Sequence, residues 1–346
     1  MKPTVIPVVQ DTDAIIDQVL VEADKLFGEG LMRLDSPLVR STVSDYISTQ
    51  CSVLDHALGV PGVPVGRLTE IFGPEAGGKS TLSAHILAET QRRNGISVLL
   101  DTENAFDIKW ARKLGVNTKQ LIIDQPDCME SVYSKIRGLT SIIKEKDPNR
   151  LLTIVWDSVA STPTKAELED NAGLAEQARV NSRELRTIIP LIAKQKVCLV
   201  FINQIRDKVG VTYGDHSTTP AGKAIGFYAS IRMAISRIGT EKDSSGVPSS
   251  AKCQVTIKKN KCAPPFRVAN FCINFKKGGI DNELSLLDTA NDLGIVVQKG
   301  AWQNLDIQDP ESKSQITEKF YAKNWHDVLV KYPWLENHIK QRMEFE

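Results

Sequence analysis

No stretch of the 346-residue chain approaches the roughly eighteen consecutive apolar residues that a membrane-crossing helix needs, so none is expected. The opening residues, MKPTVIPVVQDTDAIIDQ, carry one lysine, then acids, and no long apolar core. They lack the pattern of a secretory signal peptide, and a cytoplasmic location is expected. The six cysteines, at 51, 128, 198, 253, 262 and 272, never fall in a CxxC pair. That spacing argues against a zinc site or a disulfide framework and for reduced thiols. Internal repeats and low-complexity tracts are missing. Neither sign of charge dominates: 43 Lys and Arg stand against 42 Asp and Glu, a net charge of +1. A near-neutral total leaves nucleic acid open as a partner, because binding needs only a local basic face.

What is present is ordinary for a soluble globular protein, with 41% hydrophobic and 25% charged residues. The length suits one large domain with small appendages, or two domains. Residues 11–34 place Ile15, Val19, Ala23 and Phe27 at four-residue steps, which predicts one amphipathic helix ending near Gly28 or Gly30. Its stripe must be buried on its own core or on a neighbouring subunit. From residue 66 the apolar runs RLTEIFG, SVLLD, LIID, LLTIVWD and VCLVFIN alternate with longer helix-period stretches. Such runs predict an α/β fold with a mostly parallel sheet covered on both faces, and ligands at the strand C-terminal edge. After residue 228, YASIRMAISRIG, KCQVTIKKN and FRVANFCINF read as strands of an antiparallel extension. SLLDTANDLGIVV and WHDVLVKYPWLENHIKQRM look helical, with KGAWQNL a short connection. The expected division is a helical segment over 1–42, a core over 43–280 and a small C-terminal α/β domain over 281–346.

One motif carries clear chemistry. IFGPEAGGKSTL holds the GxxxxGK[ST] pattern, with a strand before it and a helix after it. In the loop Gly73, Pro74, Glu75, Ala76, Gly77 and Gly78, the glycines let the backbone N–H groups, of which Pro74 has none, converge on phosphate oxygens. Lys79 then reaches the terminal phosphates, the Ser80 hydroxyl suits Mg²⁺, and Thr81 follows in a helix whose N-terminus is itself partly positive. This is the pattern of a P-loop nucleotide-binding core.

Three further strand ends bear polar residues. LLTIVWD ends in Asp157, an acid suited to the magnesium shell. SVLLDTENAFD ends in Asp101, Thr102 and Glu103, and Glu103 is the carboxylate best placed by order to orient or deprotonate water. FINQ ends in Asn203 and Gln204, then leads into a long loop rich in glycine and threonine. A loop of that length is usually functional or disordered. Gln204 at its root is placed to sense a γ-phosphate and couple it to the order of the loop. Residues 244–280 contain Lys252, Lys258, Lys259, Lys261, Arg267, Lys276 and Lys277 and no acid, which suggests phosphate groups nearby.

Taken together, GRLTEIFGPEAGGKSTL, DTENAFDIKWARKLGV, IVWDSVASTPTKAELE, FINQIRDKVGVTYG, AGKAIGFYASIRMAISRIG and KKNKCAPPF resemble the bacterial RecA recombinase family over roughly residues 12–305. The phosphate loop is widespread; FINQIR with its loop and the KNK hairpin are far more specific. The resemblance implies a RecA-like core, ATP and Mg²⁺ as cofactors, and a helical filament of identical subunits. That filament would bind single-stranded DNA, pair it with a homologous duplex and exchange strands. By position, Lys79, Ser80 and Asp157 would hold phosphate and metal, Glu103 would activate water, and Asp107 and Trp110 would contact adenine. Gln204 would link the γ-phosphate to the DNA loop. Lys259 and Lys261 would reach the neighbour's ATP in trans, Phe227 would lie at the subunit interface, and the N-terminal helix would pack on the next subunit. DNA contacts would come from Arg206, Lys208, Val209 and Gly210 in the second loop, over 204–219, with Val209 wedging between bases. A first loop over 167–178 would lead into a helix bearing Arg179 and Arg186.

Some features depart from the family pattern. The first loop is shorter than in bacterial members and carries EDNAG, and the chain ends KQRMEFE rather than in a long acidic tail. Less restrained DNA binding is expected from that ending, and the divergence is compatible with a phage-encoded member. Lys323, Lys331, Lys340 and Arg342 are candidate charges for duplex capture by the C-terminal domain. A ring helicase on the same core is an alternative, as is a nucleotide-gated DNA filament that acts as a scaffold.

Overall fold

The computed structural model describes residues 11–28, 30–34, 36, 39, 43–173, 175–207, 217–218, 222–310 and 312–343. It divides into two compact units, residues 1–42 and 43–346. In the first, α1 (Thr12–Phe27) begins at Asp11, whose carboxylate accepts the Asp13 amide at 3.2 Å, and stops at Gly28, where φ is 79°. Glycine adopts that left-handed conformation without a Cβ clash. The Arg33 guanidinium donates to Asp13 at 2.7 Å and to Asp17 at 2.9 Å. Along the four-residue stripe Ala23 is buried, whereas Val19 is 55% and Phe27 82% exposed.

The second unit opens with β1 (Tyr46–Ile47), α2 (Ser52–Leu58) and β2 (Val63–Pro64). Strands and helices then alternate: β3 (Leu68–Gly73), α3 (Lys79–Arg92), β4 (Ile96–Asp101), α4 (Ile108–Lys113), β5 (Leu121–Asp124), α5 (Met129–Lys146), β6 (Leu152–Asp157), α6 (Lys165–Leu168), α7 (Glu176–Gln195) and β7 (Val197–Gln204). Each of the five apolar runs is a strand, and every residue of β3 and β6 is buried, as helices on both faces require. The short pair β8 (Arg206–Asp207) and β9 (Ser217–Thr218) is followed by α8 (Ala224–Tyr228), then β10 (Ile231–Lys242), β11 (Pro248–Asn260), β12 (Val268–Asn274) and β13 (Ile280–Asp281).

The main sheet has nine strands in the order β5-β4-β6-β7-β3-β10-β11-β12-β13. From β5 to β10 neighbours run parallel; from β10 to β13 they run antiparallel. The register sets Gly73 beside Gln204 and Asp101 beside Asp157. The polar residues that end β4, β6 and β7 therefore share one edge of the sheet with the phosphate loop that follows β3, the edge where parallel α/β sheets bind ligands.

The C-terminal region departs from the sequence reading. After α9 (Asn282–Asp292), the GIVV segment leads into β14 (Val296–Lys299), and KGAWQNL supplies the start of β15 (Trp302–Gln308), which pairs with β16 (Gln315–Tyr321). A 3₁₀ turn (Ala322–Asn324) precedes α10 (Trp325–Lys331) and α11 (Leu335–Arg342). The last two are separated at Tyr332-Pro333, where proline disfavours helical backbone in the residue before it. Leu286, Leu305, Trp325 and Ile339 are buried in the same apolar cluster as Val255 and Phe271 of the main sheet. Lys331 pairs with Glu318 at 2.8 Å and Lys340 with Glu336 at 2.7 Å, so these two cations already have acidic partners.

His85 ties the phosphate-loop helix α3 to β13. Its Nδ1 lies 2.8 Å from Gln50 Oε1, and its Nε2 accepts the Ile280 amide at 3.1 Å. Burial pushes its pKa down to about 4, because the charged ring loses water and cannot accept from Ile280. The unfolded chain, whose His titrates near 6.5, then binds the extra proton between about pH 6.5 and 4, so stability falls with falling pH across that window. Replacing His85 by leucine should flatten the pH dependence there by about 1.4 kcal/mol per pH unit, read from denaturant unfolding at several pH values.

Candidate active site

The strand β3 runs into the turn 74–78 and then α3. Ala76 (φ 53°) and Gly78 (φ 100°) bend the loop back so that α3 starts at Lys79. A Cβ on Gly73 would lie 1.9 Å from the carbonyl oxygen of Ile235, so only glycine fits between β3 and β10. Lys79 is buried, and its Nζ donates to the carbonyls of Pro74 at 2.7 Å and Gly73 at 3.1 Å. Burial lowers its pKa, against the pull of Asp157, Glu103 and Glu75. An ammonium group held on two loop carbonyls can transfer to phosphate oxygens, which are stronger acceptors.

Ser80 donates its hydroxyl to Asp157 at 2.7 Å. Burial pushes the Asp157 carboxyl up to about 6; Glu103 and Asp101 push the same way, while Ser80 and Lys79 oppose. These hard oxygen donors, in a spot short of positive charge, fit a divalent cation such as Mg²⁺.

Glu103 lies on the loop after β4. Its Oε1 accepts the Gln204 side-chain amide at 3.2 Å and a short hydrogen bond from the Ser158 hydroxyl. The sequence reading missed Ser158, whose only signal was its place immediately after the strand-ending acid. Thr102 holds this corner by donating its amide to the Asp157 carbonyl at 2.8 Å and its hydroxyl to the Ser158 carbonyl at 3.0 Å. Ser80, Thr81, Asp101, Glu103, Trp110 and Asp157 line one cavity of about 120 Å³. Asp107 caps α4, accepting from Lys109 at 2.7 Å and Trp110 at 3.1 Å. The Trp110 indole donates to Thr81 at 3.3 Å and packs on Phe275 at 6.4 Å between ring centroids.

Away from this cavity, Lys259 Nζ donates to the carbonyls of Phe227 at 2.8 Å and Gly226 at 2.9 Å, while Lys261 is exposed. Phe227 is 73% exposed. The acid-free run is less available than it reads, because Lys252, Lys276 and Lys277 pair with Asp288, Asp243 and Asp281 from outside it or at its margin. On α7, Arg179, Arg183 and Arg186 line an open concave surface with Ala175, Ala178 and Ser182. Arg183 was not singled out from the sequence, although its spacing of four and three from the other two marks one helix face. Of the second loop, the backbone of Arg206 pairs with Thr218, whereas Lys208, Val209 and Gly210 lie outside the described residues.

The chain is similar to known proteins over most of its length. A family model for the RecA N-terminal domain matches residues 14–281. The "Protein RecA" of Heliobacterium modesticaldum is 41% identical over 291 residues, 83% of this chain and 82% of that protein. The "Protein RecA 2" of Myxococcus xanthus is 42% identical over 299 residues, 85% and 81% respectively, and the "Protein RecA" of Leptospira biflexa 39% over 329 residues, 94% and 82%. No described helix is long and apolar enough to cross a membrane. With a phosphate loop, an acidic strand edge and homology over most of its length, the chain belongs to the RecA family of recombination and repair proteins, nucleotide-binding and DNA-dependent ATPases that bind DNA and self-associate.

Proposed function

We propose that this protein hydrolyses ATP with Mg²⁺ at sites shared between successive subunits of a helical filament on single-stranded DNA, and that the filament pairs its strand with a homologous duplex and exchanges strands. The observation that carries this is the Gln204–Glu103 hydrogen bond at 3.2 Å, beside the phosphate loop and at the root of the second loop. One side chain there meets both the water-orienting carboxylate and the DNA-binding segment. Lys79 and the backbone of residues 73–81 hold the phosphates, and Trp110 and Asp107 face the base. Ser80 and Asp157 hold Mg²⁺, which when bound neutralises phosphate charge. Glu103 orients or deprotonates the attacking water. Lys259 and Lys261 of one subunit neutralise developing charge at the next subunit's site. Residues 1–42 form an oligomerisation segment, 43–280 the ATPase core with its two DNA loops, and 281–346 a small C-terminal domain; the location is cytoplasmic. Exposure of Val19 and Phe27 supports α1 as a surface that awaits a neighbour.

Arg179, Arg186, Arg206 and Lys208 contact phosphates, and Val209 and Gly210 lie close to the bases. Turnover should therefore rise on adding single-stranded DNA, and the stimulation should weaken as salt increases. Measured phosphate release across a salt series, with electron microscopy of the same samples, tests the reading. Filaments with salt-sensitive stimulation support it; closed rings that unwind duplex, or turnover indifferent to DNA, overturn it.

A further inference from the structure

A chain of hydrogen bonds crosses the middle of the sheet from Glu103 to Arg232, which stands beside Lys259 in the strand register. Glu70 of β3 is fully buried. Its Oε2 accepts Arg232 Nε of β10 at 2.5 Å, and its Oε1 accepts the Asn203 side-chain amide of β7 at 3.1 Å. Asn203 in turn accepts the Gln204 backbone amide at 3.0 Å, and Gln204 reaches Glu103. At the other end, Arg232 is the register partner of Lys259 across the β10–β11 ladder. Its guanidinium lies 4.6 Å from the Phe72 ring centroid and fills the space beside Gly226, where an added Cβ would meet it at 3.2 Å. Gly226 is also one of the two carbonyls that hold Lys259. A buried carboxylate with two partners has little freedom, so movement at one end is resisted at the other.

We propose that Glu70 is a positioning residue that couples the two nucleotide sites each subunit serves. Through Asn203 and Gln204 it sets the Glu103 corner of the subunit's own site. Through Arg232 it sets Lys259, which serves the neighbour's site. This rests on the shared-site reading above, in which Lys259 acts in trans. Occupancy of one site is thereby felt at the next, and ATP turnover along the filament is cooperative.

Adjacency alone is not coupling, so the measurement is a double-mutant cycle on the full chain. Glu70→Gln keeps the size and an acceptor for Asn203 but removes the charge that holds Arg232. It should lower DNA-stimulated kcat about tenfold with KM for ATP within about twofold, and move the Hill coefficient for ATP towards 1. A variant that merely lost folded protein would lower the amplitude and leave that coefficient alone. Arg232→Gln cuts the same contact from the other side and goes through the same cycle, so that poor folding of one variant does not decide the outcome. In a Lys259→Ala background, neither substitution should cost more than about a further twofold. If Lys259→Ala lowers turnover but Glu70→Gln and Arg232→Gln lower it again by their full factors, or leave the Hill coefficient unchanged, Glu70 does not act through Lys259 and the proposal fails while the shared-site reading stands. If Lys259→Ala turns over ATP normally, the shared-site reading fails and the proposal fails with it.

Discussion

Glu103→Gln is expected to cut ATP turnover by about 10²–10⁴-fold while nucleotide-dependent assembly on single-stranded DNA persists. The substituted amide has the same shape and keeps an oxygen for the Gln204 amide and the Ser158 hydroxyl, both of which donate to Glu103. What it loses is the negative charge that, on the proposed reading, orients or deprotonates water. Lys79 and Ser80, proposed to hold the phosphates and the metal, are untouched, so nucleotide should bind within a small factor of its native affinity. Steady-state phosphate release and electron microscopy of the variant report the two properties separately. Turnover at the native rate would remove Glu103 from the chemistry. Loss of both properties would make its role structural.

The largest effect on stability is expected at Trp156, the residue before the metal-binding candidate Asp157. Its ring is fully buried and packs edge-on against Phe201 at 4.9 Å and Tyr133 at 5.4 Å, with its indole donating to Thr162 at 3.0 Å. Trp156→Ala removes this anchor between β6, β7 and α5 and should cost about 3–5 kcal/mol in denaturant unfolding. Trp156→Phe keeps a six-membered ring but loses the donor and part of the indole's packing, at about 1–2 kcal/mol. Thr162 keeps a second bond in that case, to the Ser158 carbonyl at 2.7 Å. Equal losses for the two variants would place the stabilisation in the hydrogen bond rather than in the aromatic packing.

The parts of this molecule that depend on local pattern were readable in advance. The phosphate loop is a fixed spacing of glycines and a lysine, and β3, β4, β6 and β7 read as largely apolar runs because both their faces are covered, while the edge strand β5 leaves Ile122 and Ile123 exposed. The C-terminal hairpin was hidden for the opposite reason. In β15 the inward positions include the buried Gln303 beside Leu305, and the outward ones include Trp302, so polarity does not alternate cleanly with facing. The Glu70–Arg232 pair was invisible because its members are 162 residues apart and meet only through the pairing of β3 with β10. In the sequence, Glu70 is one acid in an apolar strand. The register turns it into the junction of three strands. The same holds for the basic run after residue 244, whose partners Asp243, Asp281 and Asp288 become visible only once neighbouring elements fold against it.

Gly73 lies directly against the backbone of Ile235. The glycine is pinned by the backbone of a strand more than a hundred and fifty residues later, so the loop's shape belongs to the whole sheet and not to its own few residues. Its twelve-letter signature can be found in many chains, yet the segment is not a transplantable cartridge. Moved to a scaffold whose neighbouring strand stood slightly nearer or farther, the same letters would trace a different curve. The signature is a necessary part of the cradle, and β10 is the mould in which it is cast.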